Sequence, residues 1–275
     1  MTLQHASTNA VALALAAIVA CAQPAVARAQ GHDGGSSGRA VTALPFRVGE
    51  SLEYEVRVAR LGNVGEGKMW VEGPTLERGV TTWRLRFELE AGKGPIRGVD
   101  KTSSWIDPSR RELSTRKFVK EERHPLSRSR EDVEIVADSG LWRDLTEKGK
   151  THRLGSASPL DELSFLYFLR TLPLDRDTTM SFDRHFDPAR NPTVVRVVGR
   201  DTLRTSAGVF RTRIIEMEVR DPKHYKGTGI IRIHLNEGDC RVPVRIESRM
   251  PVLGATTLTL KGWAHPPGYP ETIIC

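Results

Sequence analysis

The sequence of 275 residues has few of the features that identify an enzyme, a metal protein or a membrane-spanning protein. It contains no H-E-x-x-H zinc motif, no Walker loop, no Rossmann glycine pattern and no EF-hand loop. Its three cysteines form no C-x-x-C pair, so zinc-finger and thioredoxin-type motifs are absent. Aromatic residues make up only 6% of the chain, and the mean hydropathy is −0.36. We therefore expect no enzymatic activity, no cofactor, no bound metal and no membrane span in the body of the chain.

The longest apolar stretch, residues 10–20, has the length of a signal-peptide core. A bilayer span needs about 20 apolar residues, so this stretch is too short to be one. Ala27-Arg28-Ala29 fits the small-x-small rule for cleavage and predicts a signal peptide over residues 1–29. Ile18-Val19-Ala20-Cys21 also fits a lipobox, in which Cys21 would be lipidated and would attach the protein to a membrane. Both alternatives predict export, to the periplasm or, for a lipoprotein, to the outer membrane.

The charge balance is basic, with 41 Lys and Arg against 34 Asp and Glu and a formal net charge of +7. These charges alternate with apolar residues and form no Lys/Arg blocks, so we expect no nucleic-acid partner, which an exported protein also rarely meets. Anionic lipids and anionic envelope polymers remain compatible with this charge.

Two cysteines remain after either kind of processing, because Cys21 is removed or lipidated. Cys240 and Cys275 would form a disulfide in an oxidising compartment, although two unpaired thiols or an intermolecular pair are alternatives. Residues 30–43 are rich in Gly and Ser and read as a flexible tether, and residues 264–275 read as a Pro-rich tail. A single domain over residues 44–263 is expected between them.

Most of this domain alternates apolar and polar residues with period two. Such alternation is typical of antiparallel strands with one dry face and one wet face. Together with weaker examples, it predicts about twelve strands joined by short loops rich in Gly, Asp and Pro. The clearest strands lie at residues 52–58, 83–89, 215–219, 231–235 and 242–246.

One segment breaks the period of two. Ser158 is a suitable N-cap, Pro159 suits the first helical position and Pro173 ends the pattern, which predicts a helix over about 159–172. Apolar residues occupy every side of this helix, as in a buried helix. We therefore expect a mainly β fold: a curved antiparallel sheet, an open barrel or half-barrel, wrapped around one buried apolar helix.

Several stretches, in this order and spacing, resemble the bacterial domain-of-unknown-function family 3108 of exported envelope proteins. The resemblance implies a single antiparallel β domain in the periplasm or outer membrane, and it brings no assigned reaction and no catalytic residue. Cys240, Cys275 and the tail depart from the family pattern. The stretches are Leu44-Pro-Phe-Arg-Val-Gly-Glu-Ser-Leu-Glu-Tyr54, Leu61-Gly-Asn-Val-Gly-Glu-Gly67, Leu160-Asp-Glu-Leu-Ser-Phe-Leu-Tyr-Phe-Leu-Arg170, Thr205-Ser-Ala-Gly-Val-Phe210, Arg241-Val-Pro-Val-Arg245 and Gly254-Ala-Thr-Thr-Leu258.

Three sets of residues have a chemical interpretation and a structural one. On a strand, Asp183, His185 and Asp187 would share one face and could bind a metal, but two neighbouring Phe residues favour a core strand with the trio in water. The segment 123–130 could bind an anion or a lipid headgroup, or form a solvated hairpin tip. The tryptophans could line a cleft, although core packing is the default for most of them; they are Trp70, Trp83, Trp105, Trp142 and Trp263.

These observations lead to two hypotheses about function, both non-enzymatic. In the first, the protein binds or carries an apolar ligand such as a lipid acyl chain, and the helix is a plug that the ligand displaces. Phe165, Tyr167, Phe168 and Leu169 would then be the ligand-binding residues. In the second, the protein is an envelope scaffold or assembly partner that binds another protein or an anionic polymer. A hydrolase is disfavoured, because the sequence shows no cluster of nucleophile, base or metal ligands.

Overall fold

The computed structural model describes residues 44–59, 62–92, 94–110, 112–220, 229–250, 254–264, 266 and 275. The predicted signal peptide, the Cys21 lipidation site, the tether and most of the predicted tail lie outside the described residues.

The described residues form fourteen β strands and one α helix, α1 at Glu162–Leu169. Short 3₁₀ turns occupy Gly94–Ile96, Ala137–Ser139 and Pro188–Arg190. The strands are β1 Ser51–Val58, β2 Gly62–Glu77, β3 Val80–Ala91, β4 Gly98–Ile106, β5 Thr115–His124, β6 Ser127–Val136, β7 Leu141–Asp144, β8 Lys150–Arg153, β9 Thr179–Phe182, β10 Thr193–Thr205, β11 Gly208–Val219, β12 Gly229–Asn236, β13 Pro243–Met250 and β14 Gly254–Ala264.

All fourteen strands belong to one antiparallel sheet in the order β8-β7-β6-β5-β4-β3-β2-β1-β14-β13-β12-β11-β10-β9. Every pairing joins strands that are neighbours in the chain except β1 with β14, which joins the two halves of the sheet. The sheet is not closed, since β8 and β9 are its two borders. The predicted mainly β fold, an open curved sheet around one helix, is confirmed. The two additional strands, β7 and β8, have four residues each, too few to show a period of two.

The alternating residues behave as predicted over most of the sheet. In β1, Leu52, Tyr54, Val56 and Val58 are buried, while Glu53, Glu55 and Arg57 between them are exposed. The buried side chains of β1–β3 and β10–β14 meet α1 in one large core. A smaller core lies beside it and contains Phe118, Val133, Ile135, Trp142 and Phe186. The concave face of the sheet therefore holds both cores.

The helix is shorter than the sequence predicted. The prediction of a helix over 159–172 with Ser158 as N-cap was wrong at both ends, because α1 begins at Glu162, with Asp161 as its N-cap, and ends at Leu169. Leu160 cannot be helical: its N–H donates to the Arg184 carbonyl and its carbonyl accepts from Phe186, as in a short β bridge.

Candidate functional site

The N-terminus of α1 is fixed by a buried carboxylate. Asp161 accepts hydrogen bonds from the backbone N–H groups of Leu163 (2.9 Å) and Ser164 (3.0 Å), and its own N–H donates to Ser164 Oγ, which completes a capping box. Ser104 Oγ on β4 (2.6 Å) and Thr115 Oγ1 on β5 (2.7 Å) donate to the same carboxylate. Burial raises the pKa of Asp161, and these hydrogen bonds oppose that rise. The cap thus ties the helix directly to the sheet.

The C-terminus of α1 is fixed by a buried ion pair. Arg170, 1% exposed, pairs in bidentate geometry with Glu50, with both N···O distances at 2.7 Å. The same guanidinium donates to the carbonyl of Cys240 from Nε and Nη2 and to the carbonyl of Pro45. Burial by itself would lower the pKa of Arg170, but Glu50 outweighs it and raises the pKa. Both ends of the helix are therefore attached to the sheet by polar contacts that water does not reach.

The structure separates the four predicted ligand-binding residues into two kinds. Tyr167 and Leu169 are 0% exposed and lie in the main core, where the Tyr167 ring packs edge-on against Phe46 at 4.8 Å between centroids. Phe165 is 4% exposed, whereas Phe168 is only partly buried. Phe168 is thus the one of the four that reaches the margin of the core.

Phe168 belongs to a group of three rings beside the border strand β9. Its ring lies edge-on to Phe165 at 5.5 Å and to Phe182 at 5.2 Å, and Phe165 and Phe182 are 6.0 Å apart. We call Phe165, Phe168 and Phe182 the aromatic cluster. It stands where the sheet is not closed, between the helix and its border.

A cation covers the aromatic cluster. The Arg184 guanidinium lies 4.7 Å from the centre of the Phe168 ring, a cation–π distance. It also donates to the carbonyls of Ser158 and Leu113 in the loops on either side. Burial lowers the pKa of Arg184, and Glu112 opposes this only in part. A partly desolvated cation at an apolar margin is suited to an anionic group beside an apolar chain.

The concave face changes character between β3 and β4. On β3 it presents Leu85, Phe87 and Leu89, all buried and apolar. Their partners across β4 to β6 are polar except at the end nearest α1, where Phe118 and Val133 enter the smaller core. The rows across β3, β4, β5 and β6 are Leu85–Ser104–Phe118–Val133, Phe87–Thr102–Lys120–Glu131 and Leu89–Asp100–Glu122–Ser129.

Charged side chains from these strands meet others from α1 and from the segment after β9. We call the group the inner polar cluster. Its members are Asp100, Lys120, Glu122, His124, Glu131, Glu162, His185 and Arg190.

Two of the pairs in the inner polar cluster lie wholly within β4–β6. Lys120 Nζ is 2.7 Å from Glu122 Oε1, and Ser129 Oγ donates to the other oxygen of Glu122 at 2.6 Å. His124 Nε2 lies 2.7 Å from Asp100 Oδ1. Lys120 thus compensates the charge of Glu122, and the Asp100 carboxylate is hydrogen-bonded to an imidazole.

The other half of the inner polar cluster is less evenly paired. Arg190 Nη1 donates to Glu162 Oε1, but its other terminal nitrogen is 3.7 Å from Glu131 Oε2, beyond hydrogen-bond distance. His185 Nδ1 accepts from the Asp187 N–H at 3.0 Å, so a neutral imidazole carries its proton on Nε2, which lies 3.6 Å from Glu162 Oε1. His185 Nε2 and Glu162 Oε2 are buried and have no hydrogen-bond partner among the described residues. Buried groups without partners cost free energy, and a functional role is one physical reason for a protein to keep them.

The two carboxylates nearest Arg190 have opposite pKa shifts. Burial raises the pKa of Glu131, and Arg190 offsets only part of the rise. Burial would also raise the pKa of Glu162, but Arg190 and His185 outweigh it and hold the pKa below its ordinary value. In Asp100, burial raises the pKa in spite of the hydrogen bond with His124. The ionised forms of Glu131 and Asp100 are therefore less well compensated than that of Glu162.

The segment that suggested a strand over residues 179–187 ends as a strand at Phe182. Asp183, His185 and Asp187 consequently do not share a face: Asp183 is exposed, His185 is buried, and Asp187 caps the 3₁₀ turn that follows. The expectation that all three lie in water was wrong for His185, because Leu160 pairs with this segment and draws it over the concave face. Among the described residues no group of three or more His, Cys, Asp or Glu could hold a metal ion.

The tryptophans divide between the core and the outer face of the sheet. Trp83 and Trp263 pack against the main core, and Trp142 lies in the smaller one. Trp70 and Trp105 are on the outer face, stacked with arginines. The segment 123–130 comprises the end of β5, the turn at residues 125–126 and the start of β6, and Leu126 in the turn is 73% exposed.

Cys240 and Cys275 form a disulfide with their Cα atoms 4.9 Å apart. It closes a loop between residues 35 positions apart in the chain, which is worth roughly 4 kcal/mol in the chain-entropy account of disulfides. Cys240 is 2% exposed in the turn between β12 and β13, and Asn236 on β12 donates to the carbonyl of Cys275. The disulfide lies directly beside the Arg170 ion pair, because the Cys240 carbonyl accepts from Arg170.

The inner polar cluster was not predicted from the sequence. A signal for it exists: residues 119–124 and 127–132 are polar on both faces of their strands apart from Val119, whereas a strand over a core needs one apolar face. The sequence alone allows two interpretations of residues 123–130, a segment that binds an anion or lipid headgroup or a solvated hairpin tip, because it does not show that the concave side of this hairpin faces α1 and Arg190.

The chain resembles other proteins in sequence family and in fold. A family model described as "Protein of unknown function (DUF3108)" matches residues 53–261, which include α1, the aromatic cluster and the inner polar cluster. A solved structure of a beta-barrel-like protein of the domain of unknown function DUF1849 from Brucella abortus is similar at a TM-score of 0.52 with 11% identity, covering 78% of this chain and 96% of that one. This likeness concerns the fold alone. No curated protein matches the chain.

Two further solved structures are more distant. A candidate lipoprotein from Parabacteroides distasonis has a TM-score of 0.30 and 10% identity, covering 81% of this chain and 99% of that one. The other is a protein from Bacteroides fragilis that is described as a candidate exported protein with a YmcC-like fold. Its TM-score is also 0.30 and its identity is 11%, covering 81% of this chain and 98% of that one. Among the described residues, α1 is far too short and no other helix is long and apolar enough to cross a membrane.

Proposed function

The chain belongs to the DUF3108 family of proteins of unknown function, and we propose that it is a non-enzymatic protein of the bacterial cell envelope that binds an apolar chain, such as a lipid acyl chain. The binding site is the aromatic cluster beside the open border of the sheet. This proposal keeps the apolar ligand expected from the sequence and changes where the ligand lies.

The position of Phe168 carries the proposal. It is a large apolar side chain on an otherwise buried helix, it remains partly exposed, and two further rings extend the same surface toward β9. A partly exposed group of aromatic rings offers an apolar surface to an acyl chain, and the Arg184 cation beside the rings can contact the polar end of that chain.

The attachment of α1 favours binding beside the helix over displacement of the helix. Displacement would expose Asp161 and Arg170 together with their buried partners, and separating a buried ion pair costs several kcal/mol, about 3–5 by mutation. A ligand that only moves Phe168 and Arg184 leaves both attachments intact.

Export is supported by two independent features. The N-terminal apolar stretch fits a signal sequence in both of its processing alternatives. The disulfide between Cys240 and Cys275 is suited to an oxidising compartment such as the periplasm and is rare in the reducing cytosol.

Native mass spectrometry of the protein released gently from its own envelope fraction tests the proposal, with a bound lipid as the expected result. In vitro, a fluorescent fatty acid should bind the delipidated protein, and Phe168→Asp should weaken binding by about tenfold or more, equivalent to about 1.4 kcal/mol. Leu126→Asp, at an exposed apolar position on the hairpin tip, is the matched control and should change nothing. Failure of the wild-type protein to bind any acyl probe would refute the function.

A second candidate function, binding of an anionic envelope polymer, rests on the outer face of β2–β5. There the Arg86 guanidinium lies 4.8 Å from the Trp70 ring, and Arg84 and Lys117 lie 4.5 and 5.4 Å from the Trp105 ring. Burial and the neighbouring Arg86 lower the pKa of Arg84, which an anionic partner would relieve. Aromatic rings and guanidinium groups in alternation suit a sugar polymer with acidic groups.

This second candidate predicts retention on dextran sulfate and no retention on neutral dextran. The double variant Arg84→Gln, Arg86→Gln should elute at clearly lower salt, while Arg57→Gln, on the same outer face but exposed on β1, should elute like the wild type. Equal elution of all three proteins would exclude this surface.

A further inference from the structure

The aromatic cluster and the inner polar cluster form one continuous site along α1. Glu162, Phe165 and Phe168 follow each other at intervals of three residues, so each side chain neighbours the next along the helix surface. The segment after β9 runs beside these side chains: Phe182 touches the rings, Arg184 covers Phe168, and His185 and Arg190 reach Glu162. An apolar surface, a cation and a group of carboxylates thus succeed one another.

The inner polar cluster contains more negative than positive charge. Four carboxylates, those of Asp100, Glu122, Glu131 and Glu162, face the permanent cations Lys120 and Arg190. The formal excess is two negative charges while the imidazoles of His124 and His185 are neutral. Such an excess in a largely desolvated place is unfavourable unless a further cation arrives.

The unpartnered atoms show where a cation would bind. Glu162 Oε2 is buried without a donor, and Glu131 is 3.7 Å from the nearest Arg190 nitrogen with 28% of its side chain exposed. Both acceptors lie around Arg190. A primary ammonium has three donors and matches two carboxylate oxygens in such an arrangement.

Two donors lie on the segment that runs beside α1, one near the carboxylates and one at the rings. His185, 8% exposed, has an unpartnered Nε2 that carries the proton in the neutral imidazole, because Nδ1 accepts from a backbone N–H. Arg184 is the cation next to it in the chain and stands over Phe168. Both are suited to the oxygens of a phosphate or phosphoester.

We propose that the site binds a lipid with a phosphoethanolamine-type headgroup: the acyl chain lies on the aromatic cluster, the phosphate lies by Arg184 and His185, and the ammonium lies by Glu131 and Glu162. This inference rests on the proposed binding of an apolar chain and adds the class of headgroup. The raised pKa of Glu131 agrees with it, since an ammonium would stabilise the ionised form of this carboxyl group.

The test is competition among three lysophospholipids that share one acyl chain and one phosphate. Lysophosphatidylethanolamine has a primary ammonium, lysophosphatidylcholine has the same charge but no N–H donor, and lysophosphatidylglycerol has no cation. Native mass spectrometry of delipidated full-length protein with an equimolar mixture should show the ethanolamine lipid preferred by about tenfold over the choline lipid, one charge-assisted hydrogen-bond contribution. The glycerol lipid should bind most weakly.

A pair of variants on β6 localises the preference. Glu131→Gln should abolish the preference of ethanolamine over choline while leaving some binding of all three lipids. Glu134→Gln is three residues further on the same strand but on the outer face beside Arg143, so it should retain the wild-type preference. Because the wild-type competition needs no variant, the inference is tested even where a variant fails to fold.

The outcomes distinguish the two levels of the proposal. Equal binding of the three lipids to the wild-type protein would overturn the headgroup assignment and leave the acyl-binding function standing. Binding of none of them, nor of the fluorescent fatty acid, would overturn both. A preference that Glu131→Gln leaves unchanged would move the ammonium away from this carboxylate and refute the assigned position.

Discussion

The two halves of the concave face differ in the side chains that they bury: one half buries apolar groups and the other buries charged groups. Over β1–β3 and β10–β14, apolar side chains from the sheet and α1 exclude water and form a continuous core. On β4–β6, beyond the end where Phe118 and Val133 lie, the concave face of the same sheet presents carboxylates, a lysine and a histidine. Burying apolar surface stabilises the fold by about 25 cal/mol per Å², whereas burying charge costs free energy unless each charge is paired.

The apolar half of the concave face stabilises the fold, whereas the polar half contains the headgroup part of the proposed ligand site. The charged groups of the apolar half, Asp161 and the Arg170 pair, are well supplied with hydrogen bonds, although the buried Tyr167 hydroxyl has no partner among the described residues. The polar half retains orphaned atoms at Glu162 and His185. Natural proteins tolerate such local conflicts mainly at functional sites, which is why the polar half carries our ligand proposal.

The largest effect should come from breaking the ion pair that fixes α1 in the apolar half. Arg170→Met should lower the free energy of unfolding by about 3–5 kcal/mol, because it leaves Glu50 buried and unpaired. Urea unfolding followed by circular dichroism measures this. Arg176→Met, at an exposed position, is the control. A loss below about 1 kcal/mol would mean that water reaches Glu50 and that the helix end is not sealed.

The two phenylalanines of α1 should differ in cost because only one is fully enclosed. Phe165→Ala should destabilise by about 3–5 kcal/mol, the range for a fully buried Phe, and Phe168→Ala by about half as much, since part of its surface is already in water. Thermal and urea unfolding of both variants give the ratio. Equal losses would show that Phe168 is a closed core residue and would count against an open aromatic cluster.

Glu162 lies where the apolar and polar halves of the concave face meet, and replacing it should lower the free energy of unfolding most at neutral pH. Glu162→Gln should destabilise by about 2–3 kcal/mol, because Arg190 loses its closest carboxylate. The pKa of Glu162 is lowered in the folded state, so its contribution is complete above its unfolded pKa of about 4.5 and is lost as the pH falls below that value. In unfolding curves between pH 7 and about pH 3, the gap between the wild type and the variant should therefore begin to narrow as the pH falls below about 4.5. A constant gap across this range would contradict the assignment.

Glu131 should show the opposite sign and the smallest effect. Its pKa is raised by burial, so folding with an ionised Glu131 is unfavourable above its unfolded pKa, and this penalty disappears as the pH falls and the group is protonated. Glu131→Gln should therefore stabilise the ligand-free protein at neutral pH by about 0.5–1 kcal/mol, while weakening binding of the ethanolamine lipid. Differential scanning calorimetry with and without lipid measures both. Destabilisation of the ligand-free protein would assign Glu131 to the structure.

Particular residues show which parts of the structure could be predicted from the sequence. The apolar alternation of β1 predicted its buried residues, and the presence of apolar residues on every side of the helical segment predicted a buried helix. The first residue of that helix could not be predicted, because Leu160 is held in a β bridge by residues 184–186, which are distant in the chain. Ser158 and Asp161 are both acceptable N-caps by local rules, and the partners Ser104 and Thr115 decided between them.

What the sequence determined by itself is the fold class: a period of two repeated over most of the domain can bury its apolar face only in an antiparallel sheet, and one helix that is apolar all round must lie inside it. What only the tertiary structure decided is the chemistry of the concave face. Whether the polar residues of β5 and β6 lie in solvent or beside Glu162 and Arg190 depends on how far the sheet curls and where the segment after β9 crosses it. Local patterns record which residues share a face, but they do not record what that face meets, because that contact is made between parts of the chain that are distant in sequence.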